Sequence, residues 1–349
     1  MKNPWNIPKP KANIYRQIPY IPKGFWRLLV KTLQFFSLKR SLYHYYLPLL
    51  MLMLLILPLA GVFSGFQMMF ATNILTKGIL CVSFNLLFYH GGMLPIGHSL
   101  FFGLAGYATA IFAKATGWPL LALCVGPIFA GLAAFSLGSF VVRLDNIFFA
   151  MMSLIFAQVG LMLIFAGYAV TGGENGLTGF IPGDSFLQNE TLRFSLIATI
   201  ALVAIHTMWL ISRSPFFGIF AGIRENYHRA QFIGVDIHKH KWLAFTIAGF
   251  FAGVAGSLAA LSTDAITPSA ISLLRVFEIL VIILLGGVNI FFGPLLGAVV
   301  IAVSTHYFAI EWPLFWPLAL GLVIMGLVLF KPDGLSGWLY LRLMKWVRR

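Results

Sequence analysis

The sequence predicts an all-α polytopic membrane protein with about ten transmembrane helices and cytoplasmic N- and C-termini. Three observations carry that expectation. First, 60% of the 349 residues are hydrophobic and only 10% are charged, against about 25% charged in an ordinary soluble domain. Second, apolar runs of about 20 residues, each long enough to cross a bilayer as a helix, recur from residue 45 to residue 330. Third, lysine and arginine fall in alternate connections, as the positive-inside rule requires. The net charge of +14 therefore reads as a topology signal and excludes nucleic acid as the partner. The 34 glycines suit close helix approach, and the 34 phenylalanines suit a lipid-facing surface.

Three regions follow. Residues 1–44 form a basic cytoplasmic or interfacial extension. Its first 40 residues hold nine Lys/Arg and no acid, and five prolines keep the beginning extended. Trp26, Leu29, Leu33 and Phe36 then recur at helical spacing beside Arg27, Lys31 and Gln34, which predicts an amphipathic helix on anionic lipid. Residues 45–330 form the permease domain, with spans expected at 45–64, 67–89, 93–114, 118–142, 146–170, 193–212, 242–262, 272–290, 293–310 and 313–330. Residues 331–349 form a basic cytoplasmic tail. Parity places the 171–193 connection outside, with Glu174, Asp184 and Glu190 against one Arg193. It places the 213–241 connection inside, with Arg213, Arg224, Arg229, Lys239 and Lys241. Broken or re-entrant backbone is expected around 93–97 and 286–294, where bilayer energetics allows it only against protein or water.

Several chemistries are absent from the sequence. No Gly-Lys pair occurs, so no Walker A loop forms on this chain. There is no His-Glu-x-x-His and no Gly-x-Ser-x-Gly, the signatures of zinc proteases and serine hydrolases. Cys81 and Cys124 both lie in apolar runs and read as packed thiols. His238 and His240 read as a solvated loop, and no metal or cofactor site is expected. Ionisable residues inside spans are few: Lys77, Glu278 and histidines such as His98. Glu278 is the sole acid a proton-coupled carrier would use, unless it sits near a span end beside Arg275.

The stretch 212–235, "SRSPFFGIFAGIRENYHRAQFIGV", is the charged exception in an oily chain. Ser214 and Pro215 predict a helix start. Phe216, Ile219, Phe220 and Ile223 form an apolar stripe, and Arg224, Glu225 and Asn226 follow. Gly234 is expected to close one helix spanning 215–234. Chemistry alone leaves two uses open: an anchor on lipid headgroups, or a helix inserted into a groove of a soluble partner.

Residues 218–235, "GIFAGIRENYHRAQFIGV", resemble the cytoplasmic coupling loop of LivM-type permeases of branched-chain amino acid ABC importers. Glu225 and Gly234 fall on matching positions. Further matches keep the same order: "GHSLFFGLAGY" (97–107), "TGGENGLTG" (171–179), "KWLAFTIAGFFAGVAGSL" (241–258), "LLGGVNIFFGPLLGA" (284–298) and "FKPDGLSG" (330–337). The resemblance spans about residues 65–340. Met93, Pro95, Asn289 and Ile290 depart from the usual pattern. The resemblance implies one half of a permease pair in a bacterial inner membrane, partnered by a LivH-like permease, two ABC ATPase subunits and a periplasmic substrate-binding protein. ATP and magnesium would sit on the ATPases. The coupling role would then fall to Phe216, Gly218, Arg224, Glu225, Asn226 and Gly234.

The substrate path or gate is expected to draw on Gly97, His98, Gly173, Glu174, Asn175, Gly286, Gly287 and Asn289. Some of these, and the glycines elsewhere, have a plainer reading. His98 reads first as a hydrogen-bonded packing histidine, and Gly172, Gly173, Asn175 and Gly176 as a tight outer turn. Gly249, Gly253, Gly256, Gly293 and Gly297 read as close helix crossings. The expected mechanism is alternating access driven by the ATPases. The closely related urea and short-amide permeases share these motifs and stand as the alternative; an ion-coupled secondary carrier and a membrane enzyme are weaker ones.

Overall fold

The computed structural model describes residues 65–183 and 186–311, with short pieces between 318 and 337. The basic extension, the 45–64 span, Asp184 and most of the last span and tail lie outside the described residues. Among the described residues the protein is a helical bundle, and five helices are long and apolar enough to cross a membrane.

The first is α1 (Gly65–Asn85), continued by a π-helical turn at Leu86–His90. Together they make 26 residues, about 39 Å at 1.5 Å per residue. The expected 93–114 span begins late, as α2 (Ser99–Thr116). Residues 92–95 have no regular structure, because Pro95 lacks a donor and disfavours helical backbone before it. Next come α3 (Pro119–Val141), α4 (Asn146–Ala166) and α5 (Glu190–Ser212). The 213–241 connection holds α6 (Pro215–Glu225) and α7 (Tyr227–Phe232). Then come α8 (Ile237–Thr263), α9 (Leu273–Gly286) and α10 (Gly293–Glu311). The expected 272–290 span is thus a helix of 14 residues, too short to cross a bilayer. It ends where Gly287 adopts φ 105°, a conformation open essentially to glycine.

The 27-residue α8 lies at the centre. Glycines let its neighbours approach. A Cβ on Gly253 would stand 2.6 Å from the Ala130 Cβ of α3, and one on Gly256 would overlap the Phe102 carbonyl of α2. Polar side chains join the same contact: Thr109 Oγ1 donates to Ser257 Oγ at 2.8 Å. By contrast α4 exposes Phe148, Met151, Met162 and Leu163, an apolar face suited to lipid or to another subunit.

One end of the bundle gathers His90, α6, α7 and the start of α8. The other carries the 171–183 loop, where β1 (Leu177–Thr178) pairs antiparallel with β2 (Ala265–Ile266). Asp264, at φ 50°, fixes this loop by accepting from the Phe180 and Ile181 amides, each at 3.0 Å. The acidic and the basic connections therefore lie at opposite ends, the arrangement that the charge count requires.

Candidate functional site

The connection 213–241 folds differently from the single helix its sequence predicts. Pro215 fills the first turn of α6, and the Ser214 hydroxyl accepts from the Phe217 amide. Asn226 then takes an extended conformation, with φ −154° and ψ 100°, and its side chain caps α7 by accepting from the Arg229 amide at 2.9 Å. A helix stop and a helix start meet at one asparagine, so two short helices replace one. Gly234, at φ 84°, follows α7, and the Val235 amide returns to the Ala230 carbonyl at 3.1 Å. Asp236 starts α8 by accepting from the Lys239 amide at 3.1 Å. That bond, then the Lys239 side chain, holds the exposed Asp236 carboxyl below its ordinary pKa.

The buried stripe of α6 is also shifted from expectation. Phe217, Phe220 and Ile223 are buried, whereas Ile219 is 40% exposed. The reason lies in what α6 packs on. Phe217 meets the His90 ring edge-on at 5.4 Å, and the Phe220 ring occupies the space that a Cβ on Gly91 would need. Phe216 is half-buried and stacks on His240 of α8 at 5.2 Å. Arg224 donates to the Tyr89 carbonyl. Carbonyls at a helix C-terminus have no intrahelical donor, so Arg224 completes the end of α1 while tying α6 to it.

The opposite face of this loop is open. Gly218, Gly222, Glu225 and Gly234 are exposed. Phe232 is 90% exposed and Ile233 is 81% exposed. Of the coupling residues expected from sequence, Gly218, Glu225 and Gly234 face outward, while Phe216, Arg224 and Asn226 serve the loop's own architecture.

The residues expected along the path fall in three separate places. Gly97 and His98 lie inside the packing between α1, α2 and α4. The Gly97 amide donates to Ser153 Oγ at 3.1 Å. His98 is fully buried, with Nε2 at 2.9 Å from Ser83 Oγ and its ring edge-on to Phe84 and Phe101. Gly173, Glu174 and Asn175 form a 3₁₀ turn at the outer loop, with Glu174 and Asn175 exposed. Gly286 and Gly287 lie at the α9–α10 turn. A Cβ on Gly286 would overlap the Gly293 carbonyl, and one on Gly297 would overlap the Ile282 carbonyl. Asn289 is exposed on that turn.

The site that sequence reasoning did not assemble lies between α1, α8 and α9. Lys77 Nζ meets Glu278 Oε1 at 2.6 Å, and Arg275 meets Glu278 Oε2 at 2.7 Å. Each side chain is about a quarter exposed: 24% for Lys77, 28% for Glu278 and 25% for Arg275. Two cations thus share one anion. Lys77 is 12 residues into α1, about 18 Å along its axis, near the middle of the span. A cavity of about 380 Å³ opens here, lined by Lys77, Arg275, Asn73, Thr263, Ser269 and Phe102 among others. The signal was present in the sequence, as two opposite charges in separate apolar runs. Charges at that depth pair with one another. The missing information was the break at 264–272, which brings Ser272 to cap a helix starting inside the bundle. Among the described residues, no cluster of His, Cys, Asp or Glu could hold a metal ion.

A family model described as the branched-chain amino acid transport system permease component matches residues 66–331. Two similar curated proteins are high-affinity branched-chain amino acid transport system permease proteins LivM. That of Escherichia coli (strain K12) is 25% identical over 287 residues, covering 74% of this chain and 67% of the relative. That of Salmonella typhimurium (strain LT2) is 25% identical over 296 residues, covering 76% and 68%. No solved structure matches. A family match over most of the chain, on a bundle of apolar helices with an amphipathic two-helix connection, makes this chain a member of the branched-chain amino acid transport permease family, of LivM type.

Proposed function

We propose that this chain is a permease subunit of an ABC importer, supplying half of the pathway by which branched-chain or other hydrophobic amino acids cross a bacterial inner membrane. A second, LivH-like permease supplies the other half. A periplasmic binding protein delivers cargo to the 171–183 end, and two ATPase subunits, which carry ATP and magnesium, engage the α6–α7 end.

The observation that carries this reading is the two-sided construction of α6. One face is fastened to α1 by Phe217, Phe220 and Arg224. The other presents Gly218, Gly222 and Glu225, and Glu225 has no hydrogen bond or ion pair among the described residues. Farther along the same connection, Phe232 and Ile233 are exposed. An exposed apolar pair and an unpaired charge on one two-helix connection are what a groove on a soluble partner accepts. A lipid anchor would need neither the free carboxylate nor the side-chain-free ridge.

The test is copurification of this chain with Walker-containing subunits, followed by uptake into proteoliposomes. Uptake is expected to require ATP. Glu225→Lys should lower ATP-driven uptake about tenfold or more while the chain still inserts, because charge reversal at a desolvated contact costs several kcal/mol. Uptake by the purified chain alone under an ion gradient would overturn the proposal.

A further inference from the structure

We propose that the cavity between α1, α8 and α9 binds the carboxylate of the transported amino acid, held between Lys77 and Arg275. The inference rests on the importer reading above and names the chemistry of its cargo.

The charges do not cancel. Lys77 and Arg275 carry two positive charges, and Glu278 supplies one negative charge to both. The two cations line the cavity, and the carboxylate that fixes them is not part of the lining. An ammonium has three donors and a guanidinium five, so hydrogen bonds to Glu278 leave most of them unused. Arg275 Nε is buried and has no partner among the described residues. Excess positive charge in a recess with low-dielectric walls concentrates anions, and a carboxylate answers it with charge-assisted hydrogen bonds.

Two further features agree in sign and size. Helix α9 begins at Leu273, beside the cavity lining at Ser269, Ala270 and Arg275, so its dipole adds positive potential there. The remaining lining suits the other parts of an amino acid. The Asn73 side chain is exposed and makes no hydrogen bond among the described residues, so its amide oxygen can accept from an ammonium group. Phe102, Ala259 and Ile266 supply apolar wall. The 380 Å³ volume falls within the range of small-molecule sites. A neutral amide would leave the charge excess unanswered, so the site separates amino acids from urea and amides by electrostatics.

The test uses the assembled importer in a Cys124→Ser background, Cys81 being buried. Ser269→Cys places a thiol in the lining. Its reaction rates with anionic sulfonatoethyl and cationic trimethylammonioethyl methanethiosulfonates are divided by the rates of a free thiol. The ratio is expected to favour the anionic reagent about tenfold, and Lys77→Gln should abolish the preference. Asn73→Asp, which leaves all three charged partners in place, should abolish it too and serves if Lys77→Gln fails to assemble. Leucine under turnover should slow labelling, and leucinamide should not. No charge preference, a preference that survives both variants, or equal protection by leucinamide would overturn the site. If leucine is taken up and the preference is absent, the site fails and the importer reading stands. If the preference is present and no amino acid is taken up, the reading of the cargo fails.

Discussion

Replacing Glu278 by glutamine tests whether the three charges inside the bundle act as a unit. The amide keeps the shape and removes the anion from both Lys77 and Arg275. At an effective dielectric of about 20, one contact pair is worth about 4 kcal/mol. Breaking a buried pair costs about 3–5 kcal/mol. Side chains a quarter exposed belong at the low end, so Glu278→Gln should destabilise the chain by about 3 kcal/mol. Lys77→Met leaves Glu278 paired with Arg275 and should cost about 1.5 kcal/mol. With a coupling of about 2 kcal/mol, the double variant should lose about 2.5 kcal/mol rather than about 4.5. The assay is equilibrium unfolding of the purified subunit in mixed micelles. Single effects that add to within about 0.5 kcal/mol would mean that the two groups do not interact, and the electrostatic reasoning about the cavity would be refuted with them.

Other consequences are steric, local or pH-dependent. Gly256→Val places a Cβ into the Phe102 carbonyl and should destabilise the bundle by about 2 kcal/mol or more, measured by the same unfolding titration; a neutral effect would mean that α2 and α8 pack less closely. Asp264→Ala removes an acceptor shared by the Phe180 and Ile181 amides, and limited proteolysis within 171–183 should accelerate at least several-fold, with an unchanged rate counting against the tie. The Asp236 carboxyl is held below its ordinary pKa by its cap on Lys239. Its stabilisation of the α8 start is therefore full above about pH 4 and is lost as pH falls through the depressed value. Protection of the Lys239 amide from hydrogen exchange, taken relative to the intrinsic rate at each pH, should fall only in that acid range, and Asp236→Asn should remove that pH dependence of the protection.

The sequence made visible what depends on composition and local pattern. Apolar runs located α1, α3, α5 and α8 because each is long enough to satisfy its own backbone in lipid. Charge parity separated the two ends because it is a property of connections rather than of packing. The broken places at 93–97 and after Gly286 were legible from Pro95 and Gly287. What remained hidden depended on tertiary choice. The α6 stripe rotated by one residue, burying Phe217 and exposing Ile219, because the surface offered by His90 and Gly91 has no trace in residues 212–235. Asn226 looked like part of a charged helix, yet its short side chain favours capping over continuing a helix. His98 was legible as a packing residue, since a histidine among glycines in an apolar run needs a buried partner, here Ser83. The Lys77–Glu278 contact joins residues 201 positions apart, and no local pattern specifies such a pair.

Helix α1 joins the two sites. Its last turn receives Arg224 at Tyr89 and Phe217 at His90. Twelve residues earlier, about 18 Å along the axis, it presents Lys77 to the cavity. That last turn is the π-helical turn Leu86–His90, a geometry that often marks functional positions. If ATPase subunits engage α6 as proposed above, its displacement would act first on the end of the helix that holds one wall of the cavity, and a second contact, Phe216 on His240, would lead into α8. The two routes are separable. Arg224→Gln cuts the polar tie to α1 and spares the apolar contacts of Phe217 and Phe220, so ATP hydrolysis should persist while uptake per ATP falls several-fold; Phe216→Ala should act through α8 instead. Uptake per ATP that is unchanged in Arg224→Gln and reduced in Phe216→Ala would assign the transmission to α8, leaving α1 as the passive wall of the cavity.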